Sequence, residues 1–156
     1  MQLLLISLFA ASVTSISPSL VAGGPPYCPP RPATDQQKRA IFEEFYTKIY
    51  INYQPYQASN DHLASDYIQH SPSALSGRDN NLASLSFINP ANINFTIRFA
   101  GIDGNIGYIY SRADINGQDQ PSAIADFLRF NGTCIQEHWD VVQEMPANRT
   151  NPLTMW

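Results

Sequence analysis

The C-terminal half of the chain leaves the fold least choice. Four stretches, "INFTIRFAGI", "NIGYIYSRADI", "SAIADFLRF" and "TCIQEHWDVVQ", alternate in polarity at period two. That period places alternate side chains on opposite faces of a pleated strand. Asp103-Gly104, Asn116-Gly117 and Asn131-Gly132 punctuate these stretches, and such dipeptides supply the positive φ angles of tight hairpins. The pattern predicts a four-stranded antiparallel meander.

The preceding residues read as helices. In "TDQQ", Thr34 is the expected N-cap, with Gln37 reaching back to complete a capping box. A helix is expected from there to about Tyr53, because Ile41, Phe45, Ile49 and Tyr53 recur at i+4 beside Phe42, Tyr46 and Tyr50. A shorter helix over 57–65, a strand in "DYIQHSP" and a helix over 78–88 should follow. Helices first and strands afterwards define an α+β domain, with the helices packed on one face of a curved sheet. The 156 residues suffice for one such domain.

Residues 1–22 begin with "MQLLLISLFAASVTSIS", an apolar run of signal-peptide length that Ser and Thr interrupt too soon for a membrane span. Cleavage is expected between Ser15 and Ala22. Residues 23–33, "GGPPYCPPRPA", should form an extended arm, since their prolines lack the donors a helix or central strand needs. The domain proper then spans 34–156. Asn94, Asn131 and Asn148 each open an Asn-X-Thr glycosylation triplet. Cys28 and Cys134, the only two cysteines, would pair in an oxidising compartment. Together these features predict a secreted protein. A net charge of −4 and no Lys/Arg cluster exclude nucleic acid and anionic membranes as partners.

Function hangs on the last hairpin, "ADFLRFNGTCIQEHWDVVQ". Ile124, Asp126, Leu128 and Phe130 share one face of its first strand; Cys134, Gln136, His138 and Asp140 share one face of its second. A two-residue loop at Asn131-Gly132 would set Asp126 opposite Glu137 and send His138 to the other side. A three-residue loop would pair Phe130 with Cys134, Asp126 with His138, and Ile124 with Asp140. The second register gathers Asp126, Gln136, His138 and Asp140 on one side, with Ala125, Phe127, Ile135 and Trp139 on the other. That separation suits a polar-lined cavity, and it is the register preferred here.

"YIQHSP", Gly77-Arg78, "IADFLRF" and "IQEHWDVVQEMP", followed by Asn151 and the closing "MW", resemble the SnoaL-like proteins of the nuclear-transport-factor-2-like (NTF2-like) superfamily. The resemblance runs in order over residues 37–156. It implies a cone in which a curved, mostly antiparallel sheet wraps a few helices around a deep pocket, and it implies the longer hairpin loop. The family's polyketide cyclases perform intramolecular aldol condensation with an acidic base and no metal or cofactor. Carried over, the resemblance makes His70, Asp126, His138 and Asp140 the catalytic candidates. The chain departs from the family pattern at Ser71, where Asn is common, and in its hairpin glycine, which sits one place early. Gln143 stands where members often carry an acid, and glutamine is no base.

Enolisation needs a base beside an acidic C–H, a donor for the enolate oxygen, and a dry cavity. An aspartate flanked by Ile124 and Leu128 would be desolvated, which strengthens a carboxylate as a base. His138, bonded to Asp126 or Asp140, could hold the proton in transit, and His70 could be a second donor. Tyr46, Tyr50, Tyr67 and Trp139 are the candidates for contacting an apolar substrate. No ligand-type spacing joins His62, His70 and His138, so no metal is expected. His62, Glu43, Glu44 and Glu137 read as solvated residues, and Arg78, Arg98 and Arg129 as surface or salt-bridge residues. Two functions are expected. One is a cofactor-free lyase, isomerase or cyclase acting on a small hydrophobic carbonyl compound. The other is a non-catalytic pocket module binding an apolar metabolite; a homodimer through the sheet is a further expectation.

Overall fold

The computed structural model describes residues 23–156, so the expected signal peptide lies outside the described residues. Helix α1 (Asp35–Tyr46) opens with the expected capping box: Gln37 N donates to Thr34 Oγ1 at 3.2 Å, and Thr34 N donates to Gln37 Oε1 at 2.8 Å. It ends earlier than its periodicity suggests. A π-helical turn over Thr47–Ile51 follows, and Tyr53 takes a left-handed φ of 53° just before Pro55. The wider π turn brings Phe45 and Tyr50, five residues apart, to the same cavity wall.

Pro55 opens α2 (Pro55–His62), in a first turn where its missing N–H is no loss. Strand β1 (Leu63–Gln69) begins inside the stretch expected to be helical. Helix α3 (Arg78–Ser84) continues as one 3-10 turn over Leu85–Phe87. Strands β2 (Ile93–Asp103), β3 (Ile106–Ile115), β4 (Ser122–Asn131) and β5 (Cys134–Glu144) form the meander that the alternation requires. β1 joins it parallel to β5, giving one sheet in the order β1-β5-β4-β3-β2. The α+β assignment holds. Ile41, Phe42, Phe45 and Ile49 pack into one core with Ile109, Leu128, Phe130 and Ile135 of the sheet. Helix and sheet meet so closely at Gly107 that a Cβ there would stand 2.7 Å from the Phe42 ring.

The proline-rich arm is fastened to the turn between β4 and β5. Cys28 and Cys134 form a disulfide spanning 106 positions. Tyr27 is 2% exposed; its N–H donates to the Asp61 carbonyl and its hydroxyl to Glu44. Thr133 Oγ1 donates to the Tyr27 carbonyl and accepts from Arg31 N. Gly132, at φ +56°, faces the Arg31 carbonyl so closely that any Cβ would collide with it.

That turn also corrects the expected register. Gly132 and Thr133 form the loop, so Asn131 faces Cys134 and Phe130 faces Ile135. A bulge leaves Gln136 without a partner on β4; beyond it Leu128 faces His138 and Asp126 faces Asp140. Relative to the expected pairing, β5 is displaced by two residues. An even displacement changes every partner but no face, so Asp126, His138 and Asp140 share a side. Between bulge and turn the faces swap. Ile135 therefore points into the core, fully buried, and Gln136 turns away to donate to Asp66, the reverse of what was expected for both.

Candidate functional site

The inner face of the sheet and the helices enclose a cavity of about 440 Å³, within the usual range of small-molecule sites. Phe45, Ile49, Leu85, Ile88, Ile93 and Phe95 contribute to its apolar wall. Ser71, Ser73, Asn81 and Ser84 line it as well, and Tyr50 from the π turn, Tyr67 and Gln69 from β1, Asp126 from β4, and His138 and Asp140 from β5 supply polar groups.

These groups form a chain of contacts with one member left over. Tyr50 O–H donates to Asp126 Oδ2 at 2.8 Å, and Asp126 Oδ1 lies 3.0 Å from His138 Nε2. His138 Nδ1 lies 2.8 Å from Gln69 Oε1. Both oxygens of Asp126, 6% exposed, and both ring nitrogens of His138 are thus committed. Asp140 faces Asp126 across the strand pair, and its carboxylate makes no hydrogen bond or ion pair among the described residues. One ligand atom from each of Asp126, His138 and Asp140 lies within 4.8 Å of the others, a donor set that could also take a cation.

The two phenols are set up as donors. Burial, then the charge of Asp126 and the bond to it, push the Tyr50 phenol well above the ordinary tyrosine range. Burial, then the charges of Asp126 and Asp140, do the same to Tyr67. Both remain neutral O–H groups through the physiological range.

Of the residues expected from sequence, Asp126, His138, Asp140, Tyr50 and Tyr67 meet in the cavity. His70 and Trp139 do not. Each sits one residue from an inward-facing neighbour, so the pleat sends both to the outer face. There their rings stack at 4.9 Å and 4°, with His70 Nε2 2.7 Å from Glu137 Oε1. His70 is therefore no donor to this cavity. Tyr46 packs edge-on against Phe42 at 5.3 Å and does not line the cavity. Gln69 joins the cavity beyond those expectations, and alternation along "DYIQH" places it with Tyr67 and opposite His70.

Three residues read as solvated are not. His62 is fully buried between the rings of Tyr27 and Phe45. Burial, helped by the Lys48 charge, lowers its pKa to about 4, against the raising effect of Glu44 and Asp61. Glu44, only partly exposed, accepts from Lys48, which also donates to Asp61 at 2.7 Å. The side chain of Glu137, 15% exposed, is held by Arg129 and His70. Glu44, Asp61 and His62 form a second group with metal-ligand spacing, but Lys48 already bonds its two carboxylates.

No family model and no curated protein matches the sequence. Solved structures do match the fold. A "putative ketosteroid isomerase" from Kribbella flavida superposes with a TM-score of 0.59 at 15% identity, covering 75% of this chain and 85% of its own. An "NTF-2 like protein of unknown function" from Burkholderia xenovorans gives 0.57 at 18% identity, covering 78% and 98%. A "putative SnoaL-like polyketide cyclase" from Jannaschia gives 0.54 at 10%, covering 67% and 86%. The chain has the NTF2-like fold of these proteins, the fold that its resemblance to SnoaL-like sequences implied.

Proposed function

We propose that this protein enolises a small hydrophobic carbonyl compound by proton abstraction α to the carbonyl, as an isomerase, lyase or cyclase without a cofactor. Asp140 is the base. The observation that carries this is its uncommitted carboxylate inside a largely apolar cavity, beside an Asp126 held on both oxygens. This moves the base from Asp126, favoured on sequence, to its cross-strand partner. Asp140 takes the α-proton while Tyr67 donates a hydrogen bond to the carbonyl oxygen as negative charge develops there. Returning a proton at another carbon gives an isomer; attack of the enolate carbon on a second carbonyl gives a ring. The superposition on proteins described as isomerase and polyketide cyclase supports the reaction class.

Secretion belongs to the same proposal, supported by the disulfide and by the exposure of Asn94, Asn131 and Asn148. A homodimer through the outer sheet face is supported by exposed Phe99, Tyr108, Phe127 and Val141 there.

The test is α-proton exchange. A panel of cyclic and aryl ketones is incubated with the protein in D2O and followed by proton NMR. Asp140→Asn should lose about 10²–10⁴ in exchange rate while keeping its thermal stability. Ketones that bind the unaltered protein without exchanging would leave it a non-catalytic binding module.

A further inference from the structure

We propose that Gln69 is a positioning residue that fixes a proton on His138 Nδ1 and so obliges the Asp126–His138 pair to hold one further proton between them. The orientation of the Gln69 amide follows from its neighbours. Ser71 backbone N–H, which can only donate, lies 3.0 Å from Gln69 Oε1, so that atom is the oxygen. Gln69 Nε2 donates to Oδ1 of Asn81 at 3.2 Å, and Asn81 is itself 4% exposed. The amide is pinned from both ends.

An amide oxygen accepts and never donates, so His138 Nδ1, 2.8 Å away, must carry the hydrogen. In a neutral imidazole the other nitrogen is then an acceptor. It points at Asp126 Oδ1, 3.0 Å away, while Oδ2 is occupied by the Tyr50 hydroxyl. Two lone pairs at that separation repel. The contact is satisfied only by a proton between them, as imidazolium facing carboxylate or as imidazole facing carboxylic acid. Without an acceptor at position 69 the ring could take its other neutral tautomer, donating from Nε2 to an ionised Asp126, and the extra proton would be unnecessary.

The consequence is electrostatic. With the pair neutral overall, Asp126 presents no net negative charge to Asp140, its partner across the strands. When Asp140 takes a proton, negative charge moves to the enolate oxygen, and a bare Asp126 carboxylate nearby would oppose it. This purpose rests on the enolisation reading; the tautomer does not.

The full chain, labelled with 15N-histidine, tests it. His138 is assigned by its disappearance in His138→Gln, and its protonation is read from nitrogen shifts and one-bond N–H couplings at neutral pH. The expected result is a protonated Nδ1 in the wild type. In Gln69→Met that proton should be lost, with the ring shifted to the Nε2–H form, whereas Gln69→Glu, which restores an acceptor, should keep it. If Gln69→Met does not fold, Asn81→Ala frees one end of the amide and should yield a mixture of the two forms. An unprotonated Nδ1 in the wild type overturns the proposal. So does an unchanged His138 signature in Gln69→Met, or, where that variant does not fold, in Asn81→Ala. α-Proton exchange should fall about 10–100-fold in Gln69→Met and recover in Gln69→Glu. A wild type that exchanges no ketone defeats the enolisation reading and leaves the tautomer result standing.

Discussion

Removing the disulfide gives a stability change that can be worked out from the arm. Cys28→Ala with Cys134→Ala opens a covalent loop of 106 positions. Closing a loop of about 100 residues lowers the entropy of the unfolded chain by an amount worth about 4.7 kcal/mol at 25 °C. The native arm keeps its other attachments in the variant: the Tyr27 N–H bond to Asp61, the Tyr27 hydroxyl on Glu44 and the Thr133 bridge to Tyr27 and Arg31. The native state therefore changes little, and the loss should be about 3–5 kcal/mol, nearly all of it from the unfolded side. Equilibrium urea unfolding reads this directly. With m of about 1–3 kcal/mol/M, the midpoint should fall by about 1–5 M, and m should rise because the uncrosslinked unfolded chain exposes more surface. A loss below about 1 kcal/mol would refute the reasoning, since it would mean that the bond does not constrain the unfolded chain as described.

Two further substitutions probe the same region. His62 has a folded pKa of about 4 against an ordinary 6.5. Between those values the unfolded chain binds a proton that the folded chain refuses, so stability is full above pH 6.5 and falls as the pH drops toward 4. The complete effect is about 3 kcal/mol. Unfolding free energies at pH 7 and 4.5 should therefore differ less in His62→Gln, and equal slopes would refute the burial argument. Gly132→Ala forces a side chain into a left-handed position and against the Arg31 carbonyl. It should cost about 2 kcal/mol or more and raise protease cleavage within the arm; a neutral effect on the melting temperature would contradict the seat described for the arm.

What the sequence could reveal follows from the range of the interactions involved. Period-two alternation is local, and so the meander, the turn dipeptides and the shared side of Asp126 and Asp140 were legible. Parity also survived a wrong register, because the true displacement is two residues. The bulge at Gln136 was not legible, since no glycine or proline marks it; the arm that seats on the neighbouring turn comes from about 100 positions away. β1 is a further case. Its pairing with β5 is parallel and remote, so nothing near Leu63 announces that the helix stops at His62. His62 itself looks like a surface residue in "NDHLASD" but is buried between Phe45 of α1 and Tyr27, which arrives from the arm. The alternation that points Asp126 inward also points Gln69 inward and His70 and Trp139 outward, so these three positions are legible in the sequence.

The most direct measurement is a crystal structure of the protein with a bound aryl ketone. The account predicts the α-carbon packed against the Asp140 carboxylate, the carbonyl oxygen about 3 Å from the Tyr67 hydroxyl, and the ring among Leu85, Ile88 and Phe95. A ligand whose carbonyl points away from Asp140, or one held on the outer face beside His70 and Trp139, would contradict it.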